Sequence, residues 1–438
     1  MSHAPTWKGM SPGLLKVAES AREDPRMQFR TLAHLMDETL LEASFERIRP
    51  NAAVGVDGVT KAEYGRELAA NLRGLRERMK AGQYRHQPVR RVQIPKGGGK
   101  TRPIGLSTVE DKVVQNALTR VLEAIYEQDF RPCSYGFRRK RSAHDALRAL
   151  DAAGVRGELN WVLEADIQSF FDSLDRTKLM EMLQRRIADR AVLRLIGKCL
   201  HAGVLDGEAY TEPEEGTVQG SSLSPMLGNV YLHYALDEWF EEEVKPNLKG
   251  PACLIRYADD FIMGFAREED ARAMRETLTE RMAAHGLTLH PDKTRVLPFE
   301  RPPRDQQGGK GPGTFDFLGF TVYWRKTQGG RWGLGYRTRK ARFQRAVAAL
   351  TEHCRRHRHD PVKEQHAALC RQLRGHFNYF GVNSNGPSLD RLLWHAERIW
   401  LKWLRRRSQR STLTWERFGK LLERFPLPAP TIRVQVWT

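Results

Sequence analysis

The sequence predicts an α+β fold that continues into an α-helical C-terminal region. As far as about residue 340, short apolar runs typical of strands are mixed with stretches of helical spacing. Beyond that point, apolar residues recur at helical spacing with hardly any strand signal. Because strands and helices do not alternate strictly, the pattern favours α+β over a doubly wound parallel sheet.

The predicted elements follow in chain order. Two β-type runs, VRRVQIP and TRPIGL, flank a glycine turn at 96–100 and predict a basic hairpin. Further short strands are predicted at WVLEAD, CLIRY, DFIMGF and FDFLGFTV. Helical spacing predicts helices over 108–128, 142–152, 175–202, 226–243, 268–284, 341–358, 363–380, 388–407 and 414–424.

The composition excludes several classes of protein. No run of 18 apolar residues is present to span a bilayer, and the N-terminus lacks the apolar stretch of a secretory signal. The five cysteines form an odd set without a CxxC pair, which argues against a disulfide framework and a zinc ribbon. We therefore expect a cytoplasmic protein with reduced thiols and no membrane partner.

Charge is segregated along the chain, whose net charge is +19. Residues 1–150 hold 27 Lys and Arg against 17 Asp and Glu, residues 151–320 hold 20 against 29, and residues 321–438 hold 25 against 7. An acidic middle between basic flanks is typical of a protein that binds a polyanion and concentrates carboxylates at a metal-dependent centre. A merely basic surface is the alternative interpretation.

Three aspartates follow apolar runs. Asp166 ends WVLEAD, and Asp259 with Asp260 lies between two apolar runs, as at the tip of a hairpin. A lone aspartate at a strand end is more often a turn former or a helix N-cap. Two adjacent carboxylates in apolar surroundings repel each other, and Mg²⁺ binds such groups together with substrate phosphates. Converging strand ends could hold two ions about 4 Å apart, although spacing alone leaves that convergence open.

Several sequence blocks in a fixed order surround these aspartates. They are GVDGVT (55–60), IPKGGGKTRPIGL (94–106), FRPCSYGFRRKRSAHDAL (130–147), EADIQSFFDSLD (164–175), GTVQGSSLSPMLGNVYL (216–232), YADD (257–260), GLTLHPDKT (286–294) and FDFLGF (315–320). Together they resemble the motif series of the reverse transcriptases encoded by bacterial group II introns, which is far more specific than YADD alone. The resemblance implies a right-hand polymerase, with fingers and palm followed by an α-helical thumb.

The resemblance implies a two-metal centre. Asp166 and Asp259 match the metal ligands of the family, Asp260 matches an auxiliary carboxylate, and Ile167 would add a backbone carbonyl. The implied cofactors are two Mg²⁺ ions, with Mn²⁺ as the alternative. Lys293 matches the general acid that would protonate the departing pyrophosphate, and the implied catalytic set therefore comprises three aspartates and this lysine.

Four residues are implied to bind the incoming dNTP. Lys96 and Arg102 flank the glycine turn like the triphosphate-binding pair of the family, whereas a solvated basic hairpin is the alternative from the residues alone. Phe171 matches the steric gate that leaves no room for a ribose 2′-hydroxyl, with a plain core aromatic as its alternative. Gln219 matches the nucleotide-contacting glutamine.

Basic stretches are predicted to bind nucleic acid. LRGHFNYFG (373–381) and RIWLKWLRRRSQRSTLTWERF (398–418) resemble the thumb, or maturase, domain of group II intron proteins. We expect Trp400 and Trp403 to pack in the core and the nearby arginines to contact phosphates, although RRRSQR alone fits a solvated face. The predicted nucleic-acid contacts are Arg138, Arg139, Lys140, Arg141, Arg405, Arg406 and Arg407.

The predicted domains are an N-terminal extension (1–60), fingers and palm (61–320) and a helical thumb/maturase domain (321–438), with the last boundary near the Pro- and Gly-rich segment 301–315. The His and Cys residues between 353 and 370 lack a second paired ligand set, so no zinc is expected there. The chain also ends without the endonuclease module that many group II proteins append, so no DNA nuclease activity is expected.

The implied function is RNA-directed DNA synthesis on a DNA primer or target, with assistance to splicing and mobility of a group II intron RNA. We expect such a protein in the bacterial cytoplasm, associated with the nucleoid. A domesticated or defence-associated reverse transcriptase without an intron is the first alternative. An RNA-binding splicing cofactor with an inactive polymerase is the second, and the intact aspartates argue against it. An RNA-templated RNA polymerase is the third, and Phe171 argues against that activity.

Overall fold

The computed structural model describes residues 10–97, 100–206, 209–211, 216, 220–303, 313–327, 329–408 and 413–437. At 95–97, 100, 209 and 210 it describes the backbone alone. Gln219 and most of the segment 301–315 lie outside the described residues, as does the side chain of Lys96. Among the helices within these ranges, none is both long enough and apolar enough to cross a membrane.

The fold combines helices and three small sheets. The helices are α1 (Pro12–Glu23), α2 (Glu38–Glu46), α3 (Lys61–Arg66), α4 (Leu68–Lys80), α5 (Val109–Asp129), α6 (Ala143–Arg156), α7 (Arg176–Gln184), α8 (Arg190–Leu200), α9 (Ser224–Leu232), α10 (Glu268–Ala284), α11 (Lys340–Arg356), α12 (Val362–Phe380), α13 (Gly386–Arg405) and α14 (Trp415–Arg424). The strands are β1 (Val89–Gly97), β2 (Lys100–Leu106), β3 (Trp161–Asp166), β4 (Val204–Asp206), β5 (Ala209–Thr211), β6 (Ala252–Tyr257), β7 (Asp260–Phe265), β8 (Arg295–Pro298), β9 (Thr314–Phe317), β10 (Phe320–Lys326) and β11 (Trp332–Thr338).

The central sheet is antiparallel throughout and has the order β6-β7-β3-β8. A second sheet, β2-β1-β4-β5, contains the predicted basic hairpin, because β1 and β2 pair antiparallel across the glycine turn. The third sheet, β11-β10-β9, is also antiparallel. Strands and helices are therefore mixed without parallel strand–helix units in the central sheet, and the α+β prediction is confirmed.

Helices cover both faces of the central sheet. Along β6, Leu254 belongs to a core shared with α5 and α7–α10, whereas Cys253 and Ile255 belong to a second core shared with α6, the third sheet and α11–α14. Successive residues of a strand point to opposite faces, so a sheet that is buried on both sides requires continuous apolar sequence. This requirement explains why the central strands are apolar runs rather than alternating polar and apolar residues.

Most predicted helices are observed with small shifts at their ends, but two are not single α-helices. The helix expected over 226–243 is α-helical as α9 and continues as π-helical turns at 233–237 and 240–244. A single helix was expected over 175–202, but α7 and α8 are separate. The carboxylate of Asp189 accepts bonds from the backbone N–H of Ala191 and Val192, which makes it the N-cap of α8. It also accepts from the N–H of Leu32 and Ala33 and so ties the start of α8 to the N-terminal segment. Apolar spacing does not reveal such a cap.

The C-terminal region consists of α11–α14 and packs against the third sheet. Trp400 is fully buried, and its Nε1 donates to Oε1 of Gln365 at 3.0 Å, which confirms its predicted place in the core. Residue 320 is the first residue of β10, so the third sheet contains residues from both sides of the predicted boundary at 320. The division into domains at 60 and 320 stays a prediction.

Candidate active site

Strand pairing brings the three predicted aspartates to one end of the central sheet. In the antiparallel register of β3 and β7, Asp166 lies opposite Asp260. Tyr257 pairs with Asp260 at the end of β6 and β7, so Ala258 and Asp259 form a two-residue loop. The register therefore brings the end of β3 and the hairpin tip, with their carboxylates, to the same place.

The loop between β6 and β7 has a strained backbone. Ala258, its first residue, has φ = 59°. Two-residue hairpin loops need positive φ at this position and favour glycine there. For a residue with a Cβ atom, the left-handed region is less stable by about 1–2 kcal/mol, so surrounding contacts must maintain this conformation.

A cleft of about 610 Å³ opens beside these carboxylates. Its lining contains six residues predicted for the site, namely Asp166, Ile167, Asp259, Lys293, Phe171 and Arg102. Asp260 lines an adjoining groove that also contains Asp166 and Lys293. The structure thus brings together all predicted catalytic residues and the two nucleotide-binding residues whose side chains it describes.

The predicted general acid contacts a predicted metal ligand. The segment that follows α10 continues the pairing of β3 beyond its end, because His290 N donates to Asp166 O at 2.7 Å and Gln168 N donates to Thr288 O at 2.9 Å. This pairing positions Lys293, whose Nζ donates to Oδ2 of Asp166 at 2.6 Å. A cation thus already contacts the carboxylate of Asp166.

The environment of Asp259 and Asp260 disfavours the charged form of their carboxyl groups. Burial raises the pKa of Asp259, and the charge of Asp166 adds to this effect, whereas Arg102 and Arg256 oppose it. Although Asp260 as a whole residue is exposed, burial of its carboxyl group and the charge of the adjacent Asp259 raise its pKa to about 6. A nearby cation stabilises the charged form of such neighbouring carboxylates.

This donor set fits divalent metal ions that are shared with a substrate. Carboxylate oxygens of Asp166 and Asp259 and the backbone at Ile167 line one cleft and supply hard oxygen ligands. Within the described residues, no three His, Cys, Asp or Glu side chains are grouped closely enough to hold an ion by themselves. Mg²⁺ typically binds one or two carboxylates and completes its coordination with water and phosphates, which is the arrangement that this cleft can provide.

Phe171 and Arg102 lie on the nucleotide side of the same cleft. The Phe171 ring is half-buried and packs edge-on against Phe170, with 5.1 Å between ring centroids. Gly228 of α9 lies behind it, since a Cβ atom there would be 3.2 Å from the Phe171 ring. Burial raises the pKa of the Asp172 carboxyl and the charge of Arg102 opposes this rise, so Arg102 acts on acids within the cleft.

Comparison with known proteins agrees with this geometry. The family model described as Reverse transcriptase (RNA-dependent DNA polymerase) matches residues 94–322, which is more than half of the chain. The chain belongs to the reverse transcriptase family. Its matched region contains all the cleft residues described above, and RNA-directed DNA polymerase is accordingly the enzyme class of the chain.

Three curated relatives extend the comparison. Protein YkfC of Escherichia coli K12 is 34% identical over 319 residues, which cover 64% of this chain and 83% of that protein. Group II intron-encoded protein LtrA of Lactococcus lactis is 28% identical over 66% of this chain and 50% of its own length. An uncharacterized 91 kDa protein in the cob intron of Schizosaccharomyces pombe is 39% identical over 44% of this chain and 24% of its own length. The chain spans half or less of the latter two proteins.

The basic residues predicted upstream of α6 are largely engaged within the reverse transcriptase. Arg138 is buried and bonded to Glu127 and to the carbonyl oxygens of Arg131 and Ser134. Arg141 donates to the carbonyl oxygen of Pro132. The two residues between them differ in exposure, since Arg139 is half-buried and Lys140 is exposed. Their contact with nucleic acid stays a prediction.

The predicted basic cluster at the end of α13 is divided in the same way. Arg405 Nε donates to the carbonyl oxygen of Leu413 at 2.6 Å. Arg407 donates to the carbonyl oxygens of Arg358 and Asp360. Arg406 is exposed and lies over the Trp403 ring, with its guanidinium carbon 5.2 Å from the ring centroid. Arg406 is therefore the member whose geometry best suits a contact with phosphate.

One part of the site was missed by the sequence analysis. Arg256, in β6, is completely buried and forms an ion pair with Asp237 behind the β6–β7 loop. An arginine inside the apolar run CLIRY was a detectable signal, because a buried charge requires a partner. The identity of that partner could not be read from spacing, since Asp237 is located 19 residues earlier.

Proposed function

We propose that this reverse transcriptase extends a DNA primer on an RNA template at the cleft between Asp166 and Asp259, and that its RNA substrate includes a group II intron. The observation that carries the proposal is the register of β3 and β7, which places the end of β3 beside the Asp259 loop. Phe171, which lines the same cleft, supports deoxynucleotides as substrates.

Asp166 and Asp259 would hold two Mg²⁺ ions, or Mn²⁺ in their place, with support from Asp260 and from the carbonyl of Ile167. When bound, divalent ions lower the pKa of an attacking hydroxyl group and stabilise the charge of a leaving pyrophosphate. The chain supplies the fixed orientation of the carboxylates through the β3–β7 register. The raised pKa values of Asp259 and Asp260 support the need for cations at this position.

The other cleft residues would bind the substrate and move a proton. Arg102, together with Lys96 across the hairpin turn, would bind the triphosphate of the dNTP. Gln219 would contact the same nucleotide through its amide. The Phe171 ring would lie beneath the sugar and exclude a 2′-hydroxyl. Lys293 would donate a proton to the departing pyrophosphate. Its ammonium group is bonded to Asp166 and so lies beside the proposed reacting centre.

The architecture supports a right-hand polymerase. We assign the β1–β2 hairpin to the fingers, the central sheet to the palm, and α11–α13 to the thumb. The N-terminal extension, the fingers and palm, and the thumb/maturase domain would comprise residues 1–60, 61–320 and 321–438. The contiguous third sheet implies that thumb and palm meet through β9–β11 rather than through a loose linker.

A group II intron RNA is the proposed partner because two of the relatives are described as intron proteins. The C-terminal region also offers a suitable surface. Trp394 and Trp415 are about half exposed, at 48% and 47%, and the guanidinium group of Arg398 lies over both rings. Exposed aromatic and cationic groups of this kind stack on unpaired bases and contact phosphates. We place this activity in the bacterial cytoplasm, near the nucleoid.

Sequencing the RNA that copurifies with the protein, together with a primer-extension assay, tests the proposal. We expect an intron RNA to be enriched and a DNA primer to be extended with dNTPs on an RNA template. Extension without an enriched intron RNA would favour a domesticated or defence-associated reverse transcriptase. Intron binding without extension would indicate a splicing cofactor with an inactive polymerase, and preferential use of rNTPs would indicate an RNA polymerase.

A further inference from the structure

Arg256 donates a complete set of hydrogen bonds in the interior. Its side chain is fully buried, directly behind the loop that carries Asp259. Nε and one Nη2 proton bind the carboxylate of Asp237. The remaining three N–H groups donate to Asn229 Oδ1 at 2.9 Å, to the Ala258 carbonyl oxygen at 3.0 Å and to Ser134 Oγ at 2.8 Å. All five guanidinium donors are therefore satisfied.

These bonds join three separate parts of the chain to the loop. Asn229 belongs to α9, and Asp237 ends the first of the π-helical turns that follow it. Ser134 belongs to the segment before α6, which also pairs with β6 through Arg256 N to Cys133 O at 2.9 Å and Tyr135 N to Arg256 O at 2.8 Å. The guanidinium group is thus the common point at which α9, this segment and β6 meet.

The same segment fixes the loop by direct contact. A Cβ atom on Gly136 would lie only 2.3 Å from the Ala258 nitrogen, so the two backbones are packed as closely as they can be. The carbonyl oxygen of Gly136 also accepts a bond from Asn229 Nδ2 at 2.8 Å. Ala258 is consequently held from its carbonyl oxygen by Arg256 and from its nitrogen side by Gly136.

We propose that Arg256 is a positioning residue, which holds Ala258 at positive φ and thereby aims the Asp259 carboxylate into the cleft. The inference rests on the proposed role of Asp259. An alanine does not keep φ = 59° on its own account, and Arg256 Nη1 binds the carbonyl oxygen of that very residue. Because Asp259 is the next residue in the chain, a change of ψ or φ at Ala258 would turn its carboxylate away.

If Arg256 had a purely structural role, its loss should have the same effects as the loss of another buried arginine, and Arg186 allows this comparison. Arg186 is equally buried, with its Nε 2.9 Å from Asp129 and its other nitrogens bonded to backbone carbonyls of the N-terminal segment. It does not line the catalytic cleft. Loss of either arginine should lower the stability of the fold. Only the loss of Arg256 should also lower the rate of dNTP addition in a way that a substitution in the β6–β7 loop can restore.

The test is a double-mutant cycle between Arg256→Lys and Ala258→Gly. The single-turnover rate of dNTP addition is measured on a preformed RNA–DNA duplex at saturating dNTP, together with KM, RNA affinity and the thermal midpoint. We expect Arg256→Lys to lower the rate by about 10- to 100-fold with unchanged RNA affinity, because a misaimed catalytic group costs this much. Ala258→Gly should restore about fivefold or more in the double variant, since glycine adopts positive φ without being held.

Arg186→Lys is the matched control. It should lower the thermal midpoint while its rate stays within about threefold of wild type, and Ala258→Gly should not improve it. A rate for Arg256→Lys within about threefold of wild type, or losses that simply add in the double variant, would overturn the positioning role. Should Arg256→Lys be insoluble, Ser134→Ala takes its place, because it removes one acceptor and leaves the ion pair intact.

For Ser134→Ala the expected loss is about threefold or more, again relieved by Ala258→Gly, and an unchanged rate would contradict the inference. Wild type and Asp259→Asn are assayed on the same duplex. An inactive wild type, or an active Asp259→Asn, would refute the proposed function. An active wild type with inactive Asp259→Asn and unaffected Arg256→Lys would refute only the positioning role.

Discussion

Lys293 Nζ lies 2.6 Å from Oδ2 of Asp166, at the edge of the cleft. About half of each side chain is exposed, at 58% and 48%, and an ion pair in such contact with water contributes little to folding stability. The effect of this ion pair is confined to the site, because it places an ammonium group beside a proposed metal ligand. Two explanations of the pair can be separated by substitution, namely charge balance for Asp166 and donation of a proton.

Lys293→Ala and Lys293→Arg should both lower the rate of dNTP addition by about 100-fold, which is the usual contribution of a general acid. Arginine keeps the positive charge beside Asp166, but its guanidinium group does not release a proton in proteins. The measurement is the single-turnover rate at saturating dNTP. Full recovery with arginine and not with alanine would show that the lysine serves only to balance the charge of Asp166.

Asp259→Asn should reduce primer extension by on the order of 10³-fold or more, because an amide replaces a charged metal ligand worth several kcal/mol to the transition state. RNA affinity should change little, since the predicted phosphate contacts lie elsewhere. Asp292→Asn is the matched control, because Asp292 is exposed in the adjoining groove. Equal loss of binding and synthesis in Asp259→Asn would instead indicate a structural aspartate.

Phe171→Ala should raise the incorporation of ribonucleotides relative to deoxynucleotides, because it removes the ring that lines the cleft. Competition between rNTP and dNTP on one template measures this ratio. Phe170→Leu is the control, since Phe170 is buried and packs edge-on against Phe171. An unchanged ratio in Phe171→Ala, with a loss of stability like that of the control, would show that Phe171 is only a core residue.

Local pattern predicted most of the fold. The apolar runs that became β3, β6 and β7 and the helices α5, α10, α12 and α13 were recognised because their periodicity and length are local properties. The break between α7 and α8 was missed, because apolar spacing shows neither the cap bonds that Asp189 accepts from Ala191 and Val192 nor those it accepts from the distant Leu32 and Ala33. Sequence spacing carries no information about such partners.

The residues that line the site were predictable from the sequence, but the buried residues that hold them in place were not. The ordered motifs named Asp166, Asp259 and Phe171, and the structure brings these residues into one cleft. Arg256 went unnoticed because a buried arginine is identified by its partners, and its side-chain partners lie 19 to 122 residues away. The β3–β7 register also required the structure, since a shift of one residue would turn Asp166 to the opposite face.

Arg406→Gln should flatten the dependence of RNA affinity on salt, lowering the log–log slope by about 0.7 to 0.9 for one lost phosphate contact. Arg407→Gln should instead lower the thermal midpoint and leave the slope unchanged, because Arg407 bonds the carbonyl oxygens of Arg358 and Asp360. Arg272→Gln, an exposed arginine paired with Glu268, is the control. Dissociation constants across a salt series decide the matter, and an unchanged slope for Arg406→Gln would place that residue in free solvent.

The pH dependence of folding should reflect His233, which is buried and keeps its imidazole neutral. Burial, together with the positive charges of four surrounding arginines, lowers its pKa from 6.5 to about 3. Those arginines are Arg131, Arg138, Arg185 and Arg256. The acids Asp129 and Glu238 and the rings of Phe130 and Tyr234 also border the site.

Because the folded-state pKa lies below the unfolded value of 6.5, the unfolded chain binds a proton that the folded protein refuses. The free energy of unfolding should therefore fall as the pH drops below 6.5, by about 2 kcal/mol between pH 7 and pH 5 from this residue. His233→Gln should remove this part of the dependence, whatever it costs at pH 7. His201→Gln, which replaces an exposed histidine, should preserve it. Urea denaturation at the two pH values measures the difference, and parallel pH dependence in wild type and His233→Gln would mean that other groups govern acid stability.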